Sequence, residues 1–160
     1  MCNLPRMDLA AIQLRPIGAV VCPVQRPTDE NWGAVVSRID LAPEYAGGLD
    51  GLADFSHVLV VTFLHGAEYR AERHLRRRPR GLASMPEVGI FAQRAKDRPN
   101  PIGLTAVEIV EVGATHLEVR GLDAIDGTPV LDLKPYYAQY DRVAEPRMPE
   151  WVNRLMAGYF

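Results

Sequence analysis

The chain has 160 residues, a formal net charge of −2, 48% hydrophobic and 24% charged residues, which is the composition of one ordinary globular domain. A chain of this length buries roughly two thirds of its unfolded surface, so neither a disulfide nor a metal is required for stability. Cys2 and Cys22 form no disulfide framework and no paired metal spacing, no apolar run reaches the roughly 18 residues of a membrane span, and near-neutral charge sets up no global field toward nucleic acid or membrane.

In chain order, MCNLPRMDLAAIQLRP (1–16) breaks its one apolar run with Gln13 and Arg15 and so lacks a signal-peptide core. A reducing cytoplasm is the expected compartment. IGAVVCPV (17–24) predicts a strand ending at Pro23, TDENWG (28–33) a loop, and AVVSRIDL (34–41) a β-branched strand that stops before Pro43. EYAGGLDGLADF (44–55) allows at most one short helical turn. SHVLVVTFLH (56–65) is the most apolar run and reads as a strand buried on both faces, with His57 and His65 on one side of it. EVGIFAQ (87–93) predicts another strand. LTAVEIVEVGATHLEVRGL (104–122) alternates apolar and polar residues on either side of Gly113 and predicts a β-hairpin. TPVLDLKP (128–135) closes the series, and MPEWVNRLMAGYF (148–160) spaces Trp151, Val152, Leu155, Met156 and Tyr159 as one amphipathic helix. The pattern of short strands and frequent turn signals predicts a mainly β fold, a closed antiparallel barrel or sandwich with short connecting helices and a C-terminal helix. Residues 1–15 read as an N-terminal segment, 16–142 as the barrel domain and 143–160 as a helical tail.

Four stretches could carry chemistry. In FAQRAKDRPNPIG (91–103), Pro99 and Pro101 fix their own φ and push the residues before them out of the helical region, so Arg98 and Asn100 sit on stiff extended backbone. That is either a rigid surface turn or a preorganised polar wall. In GLDAIDGTPVLDLKPYY (121–137), Asp123 and Asp126 precede Gly127; a DG pair alone marks a turn, and its carboxylates are also suited to ribose hydroxyls or a cationic ligand. Asp132 and Lys134 share a strand face, where an exposed ion pair contributes little. His57 and His65 have no third ligand spaced for zinc, so no metal is expected. YRAERHLRRRPR (69–80) is either a solvated mobile loop or a phosphate-binding patch centred on Arg73, Arg76, Arg77 and Arg78.

The stretches GIFAQRAKDRPNPIG and VRGLDAIDGTPVLDLKPY, with IGAVVCPV and GLDGLADFSHVLVV in order before them, resemble the TsaA-like family, the tRNA N6-methyltransferases that act on threonylcarbamoyladenosine in the anticodon loop. The resemblance covers about residues 16 to 140. It implies a β-barrel, S-adenosylmethionine as methyl donor and a homodimer with the donor site near the subunit interface. Carried over by motif, donor contacts fall on Asn31, Trp32 and Gly33, on His65 and Gly66, on Arg94 and Leu104, and on the turn Asp123, Ala124, Ile125, Asp126 and Gly127. Arg98 and Asn100 would line the same pocket or orient the acceptor, and Asp126 and His65 are the candidate bases.

The chain departs from the family pattern in three places. ENWG (30–33) stands where many members have a Pro-Arg-Gln-Gly-like stretch, and Gln93-Arg94-Ala95 stands for Thr-Arg-Ser. The bacterial tRNA enzymes continue into a further C-terminal domain, whereas the sequence after residue 142 reads as a single helix. The expected activity is methyl transfer to N6 of threonylcarbamoyladenosine in tRNA. The rivals are a methyltransferase of the same fold acting on another RNA or a small molecule, and a non-catalytic nucleotide- or RNA-binding module.

Overall fold

The computed structural model describes residues 11–160. Most of the N-terminal segment read from the sequence, Cys2 included, lies outside the described residues.

Six strands close into a barrel in the order β1-β2-β7-β6-β3-β8, every neighbouring pair antiparallel. They are β1 (Gly18–Val21), β2 (Val36–Leu41), β3 (His57–Phe63), β6 (Ile102–Val112), β7 (His116–Arg120) and β8 (Pro129–Pro135). Two short strands outside the barrel, β4 (Arg76–Arg77) and β5 (Val88–Gly89), pair as a ribbon. The helices are short: α1 (Ala71–His74), α2 (Ala138–Asp141) and α3 (Glu150–Met156). The sequence therefore predicts the barrel, the β6–β7 hairpin and the helix near residue 150 correctly.

Period-2 patterning explains the closure. On β2, Ser37, Ile39 and Leu41 point inward while Val36 and Arg38 face out. On β3, Val58, Val60 and Thr62 are buried in alternation with the remaining positions. These inward rows meet Val20, Val107, Leu117, Val119 and Val130 in one core with Cys22, Leu122 and Ala124. Leu49 and Leu52 plug the barrel from turns at 43–49 and 52–54. Burying one such apolar side chain stabilises the fold by about 1.5–3 kcal/mol; the inward rows also carry the hydroxyls of Thr62 and Ser37, and that of Ser37 has no partner among the described residues.

Five local readings need correction. β3 is buried on one face only, because Leu59, Val61 and Phe63 turn outward from the barrel. β3 ends at Phe63, so His65 lies beyond the strand and does not share a strand face with His57. Only Val88 and Gly89 of the 87–93 stretch are strand; Ile90–Ala92 is a 3-10 turn. The buried side chain of Gln93 donates to the carbonyls of Arg77 and Val88, at 2.9 and 3.0 Å, and so supplies bonds that a longer ladder would have made. The 44–55 region forms two separate 3-10 turns rather than one. The arginine-rich stretch is not an open loop: it folds as α1 followed by the β4–β5 ribbon.

Candidate functional site at one mouth of the barrel

The antiparallel order dictates where the loops emerge. The ends of β1, β3 and β7 and the starts of β2, β6 and β8 all lie at the same end of the barrel, as the pairs Phe63↔Ile102, Val36↔Arg120 and Ala19↔Pro129 show. Three loops therefore share one mouth: 22–35, 64–101 and 121–128. Every residue selected from the sequence for donor or acceptor contact lies in these loops, except Leu104, the third residue of β6.

The 121–128 turn is tied to the exit of β1. The amides of Asp126 and Gly127 donate to the carbonyls of Val24 and Val20, both at 2.8 Å. The Cys22 amide donates to Asp126 Oδ1 at 3.1 Å, and the buried Cys22 thiol donates to the Ala124 carbonyl. Gly127 has φ 73°, the left-handed region that glycine enters without steric cost. One oxygen of Asp126 is thus held as a backbone cap. Ala124 is buried and turns its side chain to the core, and Ile125 is half-buried.

Asp123 points the other way, across the mouth. Its carboxylate accepts from Thr105 Oγ1, an inward-facing residue of β6, and from the Tyr159 hydroxyl at 3.0 Å. Burial, followed by the charge and the hydrogen bond of Asp123, raises the Tyr159 phenol above its ordinary range. The Tyr159 ring also lies 5.4 Å from the guanidinium carbon of Arg80, and Arg80 pairs with Asp29 at 3.1 Å.

Asn31 takes φ 60°, a left-handed conformation that asparagine tolerates better than most residues. Trp32 is buried, and its indole N–H donates to the Thr28 carbonyl at 3.0 Å, so this segment presents the exposed Asn31 and its backbone. Those amides are engaged: Asn31 N–H donates to the Gly158 carbonyl at 2.9 Å and Trp32 N–H to the Tyr159 carbonyl at 2.8 Å.

The proline corner closes the third side. The Leu64 amide donates to the Pro101 carbonyl at 2.7 Å, and the Ile102 amide to the Asn100 carbonyl at 2.8 Å. Arg98 donates to the Gln93 carbonyl at 3.2 Å, and Arg94 to the carbonyl of Leu104. Lys96 donates to the Gly66 carbonyl at 2.9 Å and to Asp97 at 2.8 Å. Asp97 also accepts from the Glu68 amide and from Arg77. Burial works to raise the Asp97 pKa, but the hydrogen bonds from Lys96 and the Glu68 amide and the charges of Lys96 and Arg77 together bring it below its usual value. His65 and Gly66 are exposed at the start of this loop.

The structure thus brings Arg94 to Leu104, Gly66 to Lys96, and Asp123 to Thr105, which follows Leu104 in the chain. Two surface cavities, of about 350 and 330 Å³, lie elsewhere: one between Ile17, Leu41, Leu49 and Leu133, the other between Leu59, Lys134, Tyr137 and Tyr140. Neither includes any of the selected residues. Their linings are mainly apolar, whereas the mouth concentrates carboxylate, guanidinium and backbone N–H groups.

A profile for the tRNA-methyltransferase O N-terminal domain matches residues 21–142, three quarters of the chain. The chain belongs to this family. Relatives of the TrmO N-terminal family include a protein named as a probable S-adenosyl-L-methionine-binding protein in Methanothermobacter thermautotrophicus, 44% identical over 134 residues, covering 81% of this chain and 93% of the relative. The human tRNA (adenine(37)-N6)-methyltransferase is 38% identical over 112 residues, covering 68% of this chain but 24% of that enzyme. Among solved structures, TrmO from Pseudomonas aeruginosa superposes with a TM-score of 0.74 at 29% identity, covering 91% of this chain and 64% of that one. The chain therefore spans less than two thirds of the solved TrmO and about a quarter of the human enzyme.

Within this TrmO-type barrel, sequence reading missed Thr105, Tyr159, Arg80 and Asp97. Thr105 shares the inward parity of Gly103 and Val107 on β6 and could have been found from that alone. The other three act through contacts distant in sequence and carry no local signal. The arginine stretch is partly neutralised by acids from outside it: Arg76 pairs with Glu87 at 3.5 Å and Arg77 with Asp97 at 3.4 Å, while Arg78 donates to the Met85 carbonyl. Arg73, Arg76 and Arg78 are exposed, while Arg77 is half-buried against Asp97. Among the described residues no group of three His, Cys, Asp or Glu side chains could hold a metal, and no helix is long and apolar enough to cross a membrane.

Proposed function

We propose that this chain is an S-adenosylmethionine-dependent methyltransferase acting on N6 of threonylcarbamoyladenosine in the tRNA anticodon loop. The observation that carries the proposal is the convergence, at one mouth, of the loops that bear the motif positions of a family whose relatives are named for binding this donor and for methylating adenine 37 of tRNA.

The polar groups at the mouth suit the donor. The Asp123 carboxylate is placed for ribose hydroxyls, the Asn31 and Trp32 amides for an anionic or carbonyl oxygen, and Arg94 for a carboxylate. When bound, the donor supplies a methyl group on a positively charged sulfur. The protein's own part is to align, to shield from water and to hold the acceptor nitrogen within reach. Pro99 and Pro101 make Arg98 and Asn100 a stiff wall for this purpose. Asp126 retains one carboxylate oxygen not held by Cys22, and His65 is exposed at the rim; both remain our candidates for taking the proton from the acceptor. Residues 16–142 would form the donor-binding unit, with Arg73, Arg76, Arg77 and Arg78 meeting RNA phosphates in the cytoplasm.

The working form is a homodimer. The outward faces of β3 and β6 place Leu59, Val61 and Phe63 beside Ala106, Leu104 and Ile102, an apolar patch. It is bounded by the Lys134–Asp132 and Arg120–Glu108 ion pairs. A patch of this kind, rimmed by charge, is typical of an association surface, and Leu104 joins it to the mouth. Incubation with methyl-labelled donor and either total tRNA or the small-molecule fraction tests the activity. Label in tRNA supports the reading, and label confined to small molecules assigns the fold to another acceptor. Light scattering tests the dimer: Phe63→Asp with Leu104→Asp should halve the mass, and a wild-type mass of one chain rejects the dimer.

A further inference from the structure

We propose that the Gly158–Phe160 segment and the methyl donor exclude one another at the barrel mouth, so that the ligand-free chain is self-occupied. The inference rests on reading the mouth as the donor site. It follows from which groups the segment uses. The carbonyls of Gly158 and Tyr159 take the amides of Asn31 and Trp32. The Tyr159 hydroxyl takes Asp123. The backbone of Phe160 lies so close to Gly33 that a Cβ there would come within 2.8 Å of its carbonyl carbon. Each of these partners is a motif position for the donor, so a ligand seated on Asn31–Gly33 and Asp123 must meet atoms that are already there.

The segment is also built to leave. α3, which delivers it, fully buries none of its residues, and only Trp151, Val152 and Leu155 are half-buried, so the helix is lightly held. Gly158 takes φ 73°, the bend that turns the chain from the helix end toward the mouth. The contacts that hold it are two backbone hydrogen bonds, one charge-assisted hydrogen bond and the proximity of Arg80. Such a set is strong enough to bias a two-state equilibrium and weak enough for a ligand to reverse it. The apparent donor affinity is then the intrinsic affinity multiplied by the fraction of chains with the mouth open.

The test is calorimetry of the intact chain with S-adenosylhomocysteine, comparing wild type, Tyr159→Phe and Tyr159→Ala. Loss of the charge-assisted bond and the ring should tighten binding about tenfold in Tyr159→Ala, with Tyr159→Phe between the two. Equal or weaker binding by Tyr159→Ala overturns the proposal. Amide hydrogen exchange in the absence of ligand provides the second reading: Asn31 and Trp32 should exchange slowly in wild type and faster in Tyr159→Ala. Equal rates in the two proteins also overturn it. If no form binds S-adenosylhomocysteine, the donor site itself is refuted and the exclusion with it, whereas donor binding of unchanged affinity refutes the exclusion alone.

Discussion

Replacing Asp97 by alanine would loosen the longest loop at the mouth. Its Oδ1 accepts from the Glu68 amide at 3.0 Å and from Lys96 at 2.8 Å, and its Oδ2 faces Arg77 at 3.4 Å. One carboxylate therefore joins the exit of β3, the arginine ribbon and the proline corner. The carboxylate side chain is 15% exposed and that of Arg77 27%, while Lys96 is 43% exposed. The Lys96 pair is consequently worth well under 1 kcal/mol, and the amide and Arg77 bonds about 1 kcal/mol each. The sum is about 2 kcal/mol, or roughly 4–8 °C in melting temperature for a chain of this size. The assay is thermal unfolding with hydrogen exchange of Glu68, which should lose protection in the variant. The pH dependence has a definite sign. The folded pKa of Asp97 is lowered from 3.8, so its contribution is complete above that value and is lost as pH falls through the folded pKa. Wild type and Asp97→Ala should then converge in stability as the pH falls through that lowered pKa. A melting temperature within about 1 °C of wild type at neutral pH, with Glu68 still protected, would refute the reasoning.

Gly103→Ala should destabilise the barrel beneath the mouth, because its new Cβ would fall inside the van der Waals reach of the buried Thr62 hydroxyl and 3.1 Å from Leu64. A cost on the order of 1–3 kcal/mol is expected from overpacking, read by urea denaturation with an unchanged slope. In alkali the Tyr159 contact should weaken. Its raised pKa means the contribution is complete below the unfolded value of 10.0 and is lost as pH rises through the folded one. Above pH 10, Asn31 and Trp32 should therefore lose exchange protection relative to Tyr159→Phe, which keeps the ring without a titrating group. Asp29, Asp123 and Arg80 are the charges that face it.

The barrel was legible because its strands are β-branched, alternating and punctuated by proline and glycine: Val58, Val60 and Thr62 on β3 and Ser37, Ile39 and Leu41 on β2 declare their inward parity locally. The 87–93 stretch was misread because Ile90, Phe91 and Ala92 have strand-like apolarity. A distant interaction decided the outcome there, the Gln93 side chain bonding Arg77 and Val88. The mouth was half legible. The Asp-Gly turn and the proline corner are rigid for reasons internal to their own sequences. Tyr159, by contrast, reads as one more apolar position of a helix, and only the folded chain carries it across to Asp123. The arginine stretch shows the opposite error. Its charge density is visible in sequence, but the acids that neutralise it, Glu87, Asp97 and Asp29, arrive from elsewhere.

We infer that an adenosyl ligand binds at the mouth formed by loops 22–35, 64–101 and 121–128. Backbone amide chemical shifts recorded during titration with S-adenosylhomocysteine test it most directly. The account predicts the largest changes at Asn31–Gly33, His65, Gly66, Arg94, Leu104 and Asp123–Gly127. Changes centred instead on Ile17, Leu41, Leu49 and Leu133, at the other end of the barrel, would contradict it.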